Sequence, residues 1–253
     1  MAPMSTITET YEMTFATAET IVVPSTFNGP RESGNGGYSA GLVAGLVEGP
    51  AEVRLRSPVP LETPLEVERR FDGHVLVNNG SALIATARPV PELELATLPP
   101  VSLENARAAA AGYEGSGYDI LSQCYVCGPD RADTFGVHAA PVEGRAVVAT
   151  PWTPPAWTAD RTGQVREEHV WAALDCPTYF GAYLAEEKGM AMLAQMQARI
   201  DAPLQAGTEY VIMAWPLETD GRKRYAASAV LTDAGEVLAV AKALVIELRT
   251  PGG

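Results

Sequence analysis

An internal repeat constrains the fold of this chain more than any other feature of its sequence. A glycine-rich segment predicts a helix over about residues 37–47, and a similar apolar helical stretch starts near His169 in the second half. A shift of 140 residues aligns Asn35 with Asp175 and Gly41 with Gly181. Matches that recur in the same order indicate two similar structural units, although two unrelated α+β segments with accidental similarity are the alternative.

Strand patterns follow each predicted helix. Residues 52–56 and 195–199 alternate polar and apolar side chains, as a strand with one buried face does. Asp-Gly and Asn-Gly pairs between the later apolar runs predict hairpin turns. The other predicted strands cover 14–23, 65–71 and 82–90 in the first half and 145–152, 209–215 and 237–248 in the second. Each half is therefore predicted to contain a strand, a helix and then three or four antiparallel strands, and the sheets of two such halves can pair edge to edge.

Two irregular stretches interrupt this pattern. The first carries a proline pair and an alanine-rich run, and it predicts a linker with a short helix. We therefore divide the chain into an N-terminal unit at 1–95, a linker at 96–119 and a C-terminal unit at 120–253. The second irregular stretch, 153–166, precedes the second helix, where it could overhang a ligand tunnel or form an ordinary surface loop.

Composition and charge narrow the possible partners and locations. The formal net charge of −13 argues against a partner that is nucleic acid or an anionic membrane, because both require a basic face. The chain has no apolar run of the ~18–20 residues that a membrane-spanning helix needs, and residues 1–11 do not resemble a secretory signal. Three cysteines in 253 residues are no disulfide framework, so we expect a cytoplasmic protein. No phosphate loop, dinucleotide fingerprint or serine nucleophile elbow occurs, and no cofactor is expected.

The stretches 27–45, 169–185 and 225–248 resemble the double-hotdog proteins, near the tandem type II acyl-CoA thioesterases and an actinobacterial-type branch. The resemblance implies an α+β tandem (double) hotdog, with two antiparallel sheets each wrapped around a central helix. It also implies an acyl-thioester site between the two halves, with the thioester carbonyl at a helix N-terminus, where free N–H groups can stabilise an oxyanion. A homo-oligomer is expected as well.

Three residues are candidates for catalysis. The resemblance implies that Asp175 activates water or attacks the thioester; alternatively, it caps the helix portion that begins at Pro177. Asn35 occupies the matching place and could orient water or donate to a carbonyl, or it could be a turn or cap residue. Thr178, one turn into the second helix, is the third candidate: it could donate a hydrogen bond to a bound thioester, or its role could be packing or local capping. Tyr38, one turn into the first helix, has the same alternatives and is a candidate for substrate binding.

Further residues are candidates for substrate binding. Gly36 and Gly37, beside Tyr38, would let a ligand approach the backbone closely, and Cys176 follows the candidate carboxylate. Arg222 and Arg224 could meet the phosphates of CoA or could form a solvated strand end.

The cysteines and histidines leave alternatives open. Cys124-x-x-Cys127 could be half of a zinc site or a redox pair, but zinc needs two more ligands; His138 is possible, and Cys176 is expected to be remote. The following Gly-Pro favours a structural turn, so no metal is assigned. His169 is interpreted as a solvated or core-edge histidine, and the Asp-His segment of hotdog hydratases is absent.

The predicted function is that of an acyl-CoA thioesterase-like protein that binds an acyl thioester between its two halves and hydrolyses it. The type II pattern places a glutamine where this chain has 241–243, Ala-Lys-Ala. That departure favours the alternatives, a non-catalytic protein that binds an acyl or other hydrophobic ligand, or a dehydratase-type reaction on the same fold.

Overall fold

The computed structural model describes residues 19–184, 186 and 189–249, and this part of the chain contains three α-helices, three short 3₁₀ helices and eleven strands. The helices are α1 Gly36–Ala44, α2 Leu103–Ala110 and α3 Glu167–Ala182. The strands are β1 Thr20–Ile21, β2 Ala51–Leu55, β3 Leu65–Arg69, β4 Val75–Asn79, β5 Ala82–Pro89, β6 Ala140–Pro141, β7 Val148–Trp152, β8 Ala191–Ile200, β9 Tyr210–Asp220, β10 Lys223–Leu231 and β11 Val237–Glu247. The predicted strand at 14–23 begins outside the described residues, and β1 is its described part. No helix in the described ranges is long and apolar enough to cross a membrane.

All eleven strands belong to one antiparallel sheet, in the order β1-β3-β4-β5-β2-β8-β11-β10-β9-β7-β6. The structure does not confirm two sheets, because β2 and β8 hydrogen-bond to each other at the centre, with Val53 opposite Met196, and join the strands of both halves edge to edge in one sheet. Both residues are fully buried, so the join lies in the core rather than at a solvated edge.

The two sides of this join have the same sequence of elements. On one side a strand precedes α1, and β2 to β5 follow; on the other, β7 precedes α3, and β8 to β11 follow. The strand that directly follows each helix is the one at the join. Two-residue loops at Gly80 and Gly221 connect β4 to β5 and β9 to β10, and both glycines have the positive φ that such tight hairpins require at their first position.

Helices cover both faces of the sheet in the second half. Along β9, Tyr210, Ile212 and Ala214 belong to the core cluster that includes α1 and α3. The alternate residues of β9 belong to a second cluster with Ala106 and Ala109 of α2. This alternation follows from the period of two of a strand. The helix predicted inside the linker is therefore packed on the sheet, while the predicted domain boundaries stay a prediction.

Helices α1 and α3 cross at very short range because glycines of α1 face α3. A Cβ added to Gly41 would lie 2.6 Å from the Cα of Glu168 and 2.9 Å from the Cβ of Trp171. Gly37, one turn earlier, has equally close neighbours. Small residues four apart on one helix face let two backbones approach, and here they set the position of α1 against the middle of α3.

Candidate functional site

A buried carboxylate, Asp175, lies in the middle of α3. The residue is 7% exposed, and its Oδ2 accepts a 2.7 Å hydrogen bond from the backbone N–H of Gly37, in the first turn of α1. Burial raises the pKa of Asp175 to about 7, and the Gly37 N–H offsets part of this rise. The carboxylate therefore meets the N-terminus of α1 inside the contact between the two helices.

Two adjacent glycines make this contact possible. A Cβ at Gly37 would lie 2.4 Å from the Cβ of Asp175 and 2.7 Å from the carbonyl oxygen of Trp171. A Cβ at Gly36 would lie 3.1 Å from Oδ2 of Asp175 and 2.9 Å from the Cβ of Leu193, on β8. A side chain at either position would push the elements apart. Substrate contact with this glycine pair stays a prediction.

The backbone donors at the start of α1 differ in whether they have an acceptor. Gly37 donates to the carboxylate, Tyr38 donates to Oδ1 of Asn35 at 2.9 Å, and Ser39 donates to the carbonyl oxygen of Asn35 at 3.0 Å. Asn35 is therefore the N-cap of α1, as its alternative interpretation held. The N–H of Gly36 has no acceptor among the residues that the structure describes. It is the first-turn donor that a ligand could use.

Asp175 does not cap a helix, so that alternative is wrong: α3 begins about two turns earlier, and Pro177 lies inside it. Pro177 brings no N–H to the helix, but hydroxyl groups bond to carbonyl oxygens near this point. Oγ1 of Thr178 donates to the carbonyl oxygen of Asp175 at 2.7 Å, and Oγ of Ser228 on β10 donates to that of Leu174 at 2.8 Å. Thr178 is fully buried, and its hydroxyl is thus engaged by the backbone rather than turned to a ligand.

Aromatic rings pack around the other side of Tyr38. The rings of Tyr38 and Phe27 stack with their centroids 4.3 Å apart, and Phe27 also contacts Trp157 and His169. Tyr125 meets Tyr38 edge-on at 6.0 Å. Burial raises the pKa of Tyr38 to about 12, so its hydroxyl remains protonated at neutral pH.

A hollow of about 330 Å³ adjoins these rings. It is lined by Thr26, Tyr125, Arg131, Asp133 and Trp157. The irregular stretch before α3 supplies Trp157; overhang of a ligand tunnel and an ordinary surface loop were its two alternatives. The hydroxyl of Tyr125 is buried and has no hydrogen-bond partner within the described part of the chain. Sequence reasoning did not select Tyr125, although it lies between the two cysteines of the Cys-x-x-Cys motif.

His169 belongs to this aromatic cluster and not to the surface. The interpretation as a solvated or core-edge histidine is wrong, because the residue is 0% exposed. Burial and the nearby Arg166 guanidinium lower the pKa of His169 to about 3. Nε2 of His169 lies 2.9 Å from Nη2 of Arg166, so the neutral ring accepts a hydrogen bond from the guanidinium.

Three thiol groups meet beside the carboxylate. The Sγ atoms of Cys124, Cys127 and Cys176 all lie within 4.8 Å of one another, so the expectation that Cys176 is remote from the motif is wrong. The amide nitrogen of Asn35 lies 3.7 Å from the sulfurs of both Cys124 and Cys176. Donation from its neighbours holds the pKa of the Cys124 thiol well below its usual value, while that of Cys127 is raised. The approach of a loop to a helix, which no local pattern encodes, creates this cluster.

The two candidate arginines have different surroundings. Arg224 is 8% exposed; it contacts Glu186 at 2.8 Å and Glu247 at 3.2 Å, and its guanidinium lies 4.2 Å from the ring centroid of Tyr183. Arg222 is exposed and donates to the carbonyl oxygen of Glu247 at 2.9 Å. These contacts lie at the C-terminal end of α3, away from the glycine pair. Phosphate binding by this pair stays a prediction.

Comparison with known proteins identifies the fold of this chain. No protein-family model matches the sequence, and no curated protein matches it. A protein of Novosphingobium aromaticivorans that is provisionally assigned as a thioesterase is 13% identical, with a TM-score of 0.58 over 91% of this chain and 95% of that chain. The tesB protein of Mycobacterium avium subspecies paratuberculosis is 12% identical, with a TM-score of 0.56 over 85% and 87%. A protein of unknown function with a hot dog fold, from Alicyclobacillus acidocaldarius, is 14% identical, with a TM-score of 0.55 over 90% and 92%. This chain has a hotdog fold.

The candidate residues of this hotdog protein fall into two places. Asp175, Asn35 and Thr178 gather with the glycine pair where α1 meets α3. The two arginines lie elsewhere, at the turn between β9 and β10. The first place combines a buried carboxylate with a backbone donor, and it is the arrangement that can support chemistry.

Proposed function

We propose that this hotdog protein binds an acyl thioester and hydrolyses it with Asp175. The observation that carries the proposal is the 2.7 Å contact between Oδ2 of Asp175 and the N–H of Gly37, which brings a carboxylate to the N-terminus of α1. The proteins of similar fold from Novosphingobium aromaticivorans, provisionally assigned as a thioesterase, and from Mycobacterium avium, described as a tesB protein, support the choice of reaction. In this proposal α1 and α3 are the central helices of two hotdog units in tandem, and an acyl-CoA is the expected substrate.

The proposed mechanism uses groups that already lie together. Asp175 accepts a proton from a water molecule as the water oxygen attacks the thioester carbonyl carbon. Negative charge then develops on the carbonyl oxygen, and the N–H of Gly36 is the donor available to stabilise it. When the C–S bond breaks, the sulfur leaves as a thiol with the proton that Asp175 held. The products are a carboxylic acid and a free thiol, so atoms and charge balance.

Thiol release from a panel of short- and long-chain acyl-CoAs tests the proposal. Asp175→Asn keeps the size of the side chain and an acceptor for Gly37 but cannot take a proton, so we expect turnover to fall by about 10²–10⁴-fold. Asp72→Asn, at a turn where the side chain is 66% exposed, is the matched control and retains turnover. Full activity in Asp175→Asn would refute the assignment of this residue.

A non-catalytic acyl-binding protein is the second candidate, and one observation favours it. The hydroxyl of Thr178 is bonded to the helix backbone, so it is not free to orient a water or a thioester. Under this candidate, acyl-CoAs raise the melting temperature of the wild type while no thiol is released. Saturable stabilisation with no turnover across the panel would therefore replace the hydrolase proposal.

A further inference from the structure

All three cysteines of the chain converge on one point, which the proposed hydrolysis does not use. Cys124 and Cys127 come from the loop after the short 3₁₀ helix Asp119–Leu121, and Cys176 comes from α3. Their sulfurs lie within 4.8 Å of one another. We propose that these three thiolates form a zinc-binding site that joins this loop to α3.

The spacing of the sulfurs fits a zinc ion. Tetrahedral Zn²⁺ with Zn–S bonds of ~2.3 Å holds its sulfur ligands roughly 3.8 Å apart. The observed upper limit of 4.8 Å therefore requires a closure of at most about 1 Å per pair. Zn²⁺ takes thiolate ligands readily, and a site with three protein ligands keeps its fourth position for water.

The loop has the tight turn that brings two thiols of a Cys-x-x-Cys segment to one side. The N–H of Gly128 donates to the carbonyl oxygen of Cys124 at 2.8 Å, which closes the turn directly after Cys127. A Cβ at Gly128 would lie 2.5 Å from that carbonyl oxygen and 2.6 Å from the carbonyl oxygen of Ser122. Only glycine fits this position, so the residue type at 128 supports the approach of the two sulfurs.

Hydrogen-bond donors surround the cluster and would offset the charge of three thiolates. The backbone N–H groups of Val126 and Cys127 interact favourably with the sulfur of Cys124. The amide of Asn35 adds a third donor, 3.7 Å from the sulfurs of Cys124 and Cys176. The orientation of this amide is fixed because its Oδ1 accepts from the N–H of Tyr38, so the NH₂ end faces the thiols. Donors of this kind tune thiolate ligands in metal sites.

Zinc content of the full-length protein tests the inference. The protein is purified under reducing conditions, incubated with excess ZnCl₂ and passed over a chelating resin, and its metal is then measured by mass spectrometry. We expect one zinc per chain in the wild type and loss of zinc in Cys124→Ser, Cys127→Ser and Cys176→Ser. Replacement of zinc by Co²⁺ should give thiolate-to-cobalt charge-transfer bands and the visible bands of a tetrahedral ion.

Two further measurements keep the test independent of folding and of the hydrolysis proposal. Titration of wild-type protein with a mercurial should release one zinc for every three thiols that react, which requires no variant to fold. Asp175→Asn should keep its zinc even where thioester turnover is lost, because its thiols are intact. Wild-type protein that carries no zinc after the resin, or a disulfide between Cys124 and Cys127 that persists under reducing conditions, would overturn the zinc site.

Discussion

Replacement of Gly37 by alanine should separate α1 from α3, because the added methyl group has no room. Its Cβ would lie 2.4 Å from the Cβ of Asp175, 2.7 Å from the carbonyl oxygen of Trp171 and 2.9 Å from the Cα of Ala172. Carbon atoms in favourable contact lie about 3.5–4.0 Å apart. Two of the three neighbours are backbone atoms of a helix, so the strain cannot be relieved by a rotamer change and the helices must move.

The expected loss of stability follows from two opposing terms. Overpacking of a filled core costs about 1–3 kcal/mol, and contact with backbone atoms favours the upper end. Alanine in a helix interior is about 1 kcal/mol more favourable than glycine, so we expect a net loss of about 2 kcal/mol for Gly37→Ala. Gly45→Ala is the matched control, since Gly45 has φ −62° and its nearest atoms lie at 3.6 and 3.7 Å. That variant should be unchanged or stabilised by up to about 1 kcal/mol.

Urea denaturation of both variants at neutral pH measures these free energies of unfolding, and thiol release measured in parallel reports on the site. Because the N–H of Gly37 holds the carboxylate of Asp175, a displaced α1 should also lower any thioester turnover. If Gly37→Ala and Gly45→Ala unfold at the same urea concentration, the close approach of α1 and α3 is refuted. If only turnover falls, the methyl group acts on the site without separating the helices.

Two other buried groups give predictions of their own. His169 has a folded pKa of about 3 against an ordinary value of 6.5, so its contribution to stability is complete above pH 6.5 and is lost as the pH falls toward 3. At pH 5 the loss from His169 is about 2 kcal/mol. Asp175, with its pKa raised to about 7, acts in the opposite sense in both proteins, so the comparison is between variants. On going from pH 7.5 to pH 5, urea denaturation should show a change about 2 kcal/mol less favourable for the wild type than for His169→Gln, and an equal pH dependence in both would contradict it. Arg224→Ala removes the partner of Glu186 and Glu247 and the contact with Tyr183. Because both glutamates are partly exposed, we expect a loss of about 1–3 kcal/mol by thermal unfolding, partly restored in Arg224→Lys; a melting temperature equal to that of the wild type would contradict this.

Most of the strands could be predicted from sequence because their signals are local, although β4, β6 and β10 were not singled out. Alternation with a period of two marks β2 and β8, and an Asn-Gly and an Asp-Gly pair mark the hairpins at Gly80 and Gly221. The second helix was predicted to start near His169, close to its observed start at Glu167, but the alternative that Asp175 caps a helix portion beginning at Pro177 was wrong. The structure instead continues the helix through the proline, where hydroxyl groups bond to neighbouring carbonyl oxygens. One of these hydroxyl groups belongs to Ser228 on β10, far along the chain, and no local pattern could have revealed that contact.

The contact among the three cysteines could not be predicted either, because it joins a loop to a helix that lies about 50 residues further along the chain. This contact links the cysteines to the candidate carboxylate. Asp175 and Cys176 are consecutive on α3, and both contact residues at the start of α1: the carboxylate meets Gly37, and the thiol meets Asn35. Successive helical residues point about 100° apart, so one short segment, residues 35–37, contacts two different sides of α3. Any change that shifts the start of α1 should therefore disturb the proposed hydrolytic carboxylate and the proposed zinc site together. Arg224 lies on β10, beside Tyr183 at the C-terminal end of α3, so a change of this residue should leave the zinc content of the folded protein intact.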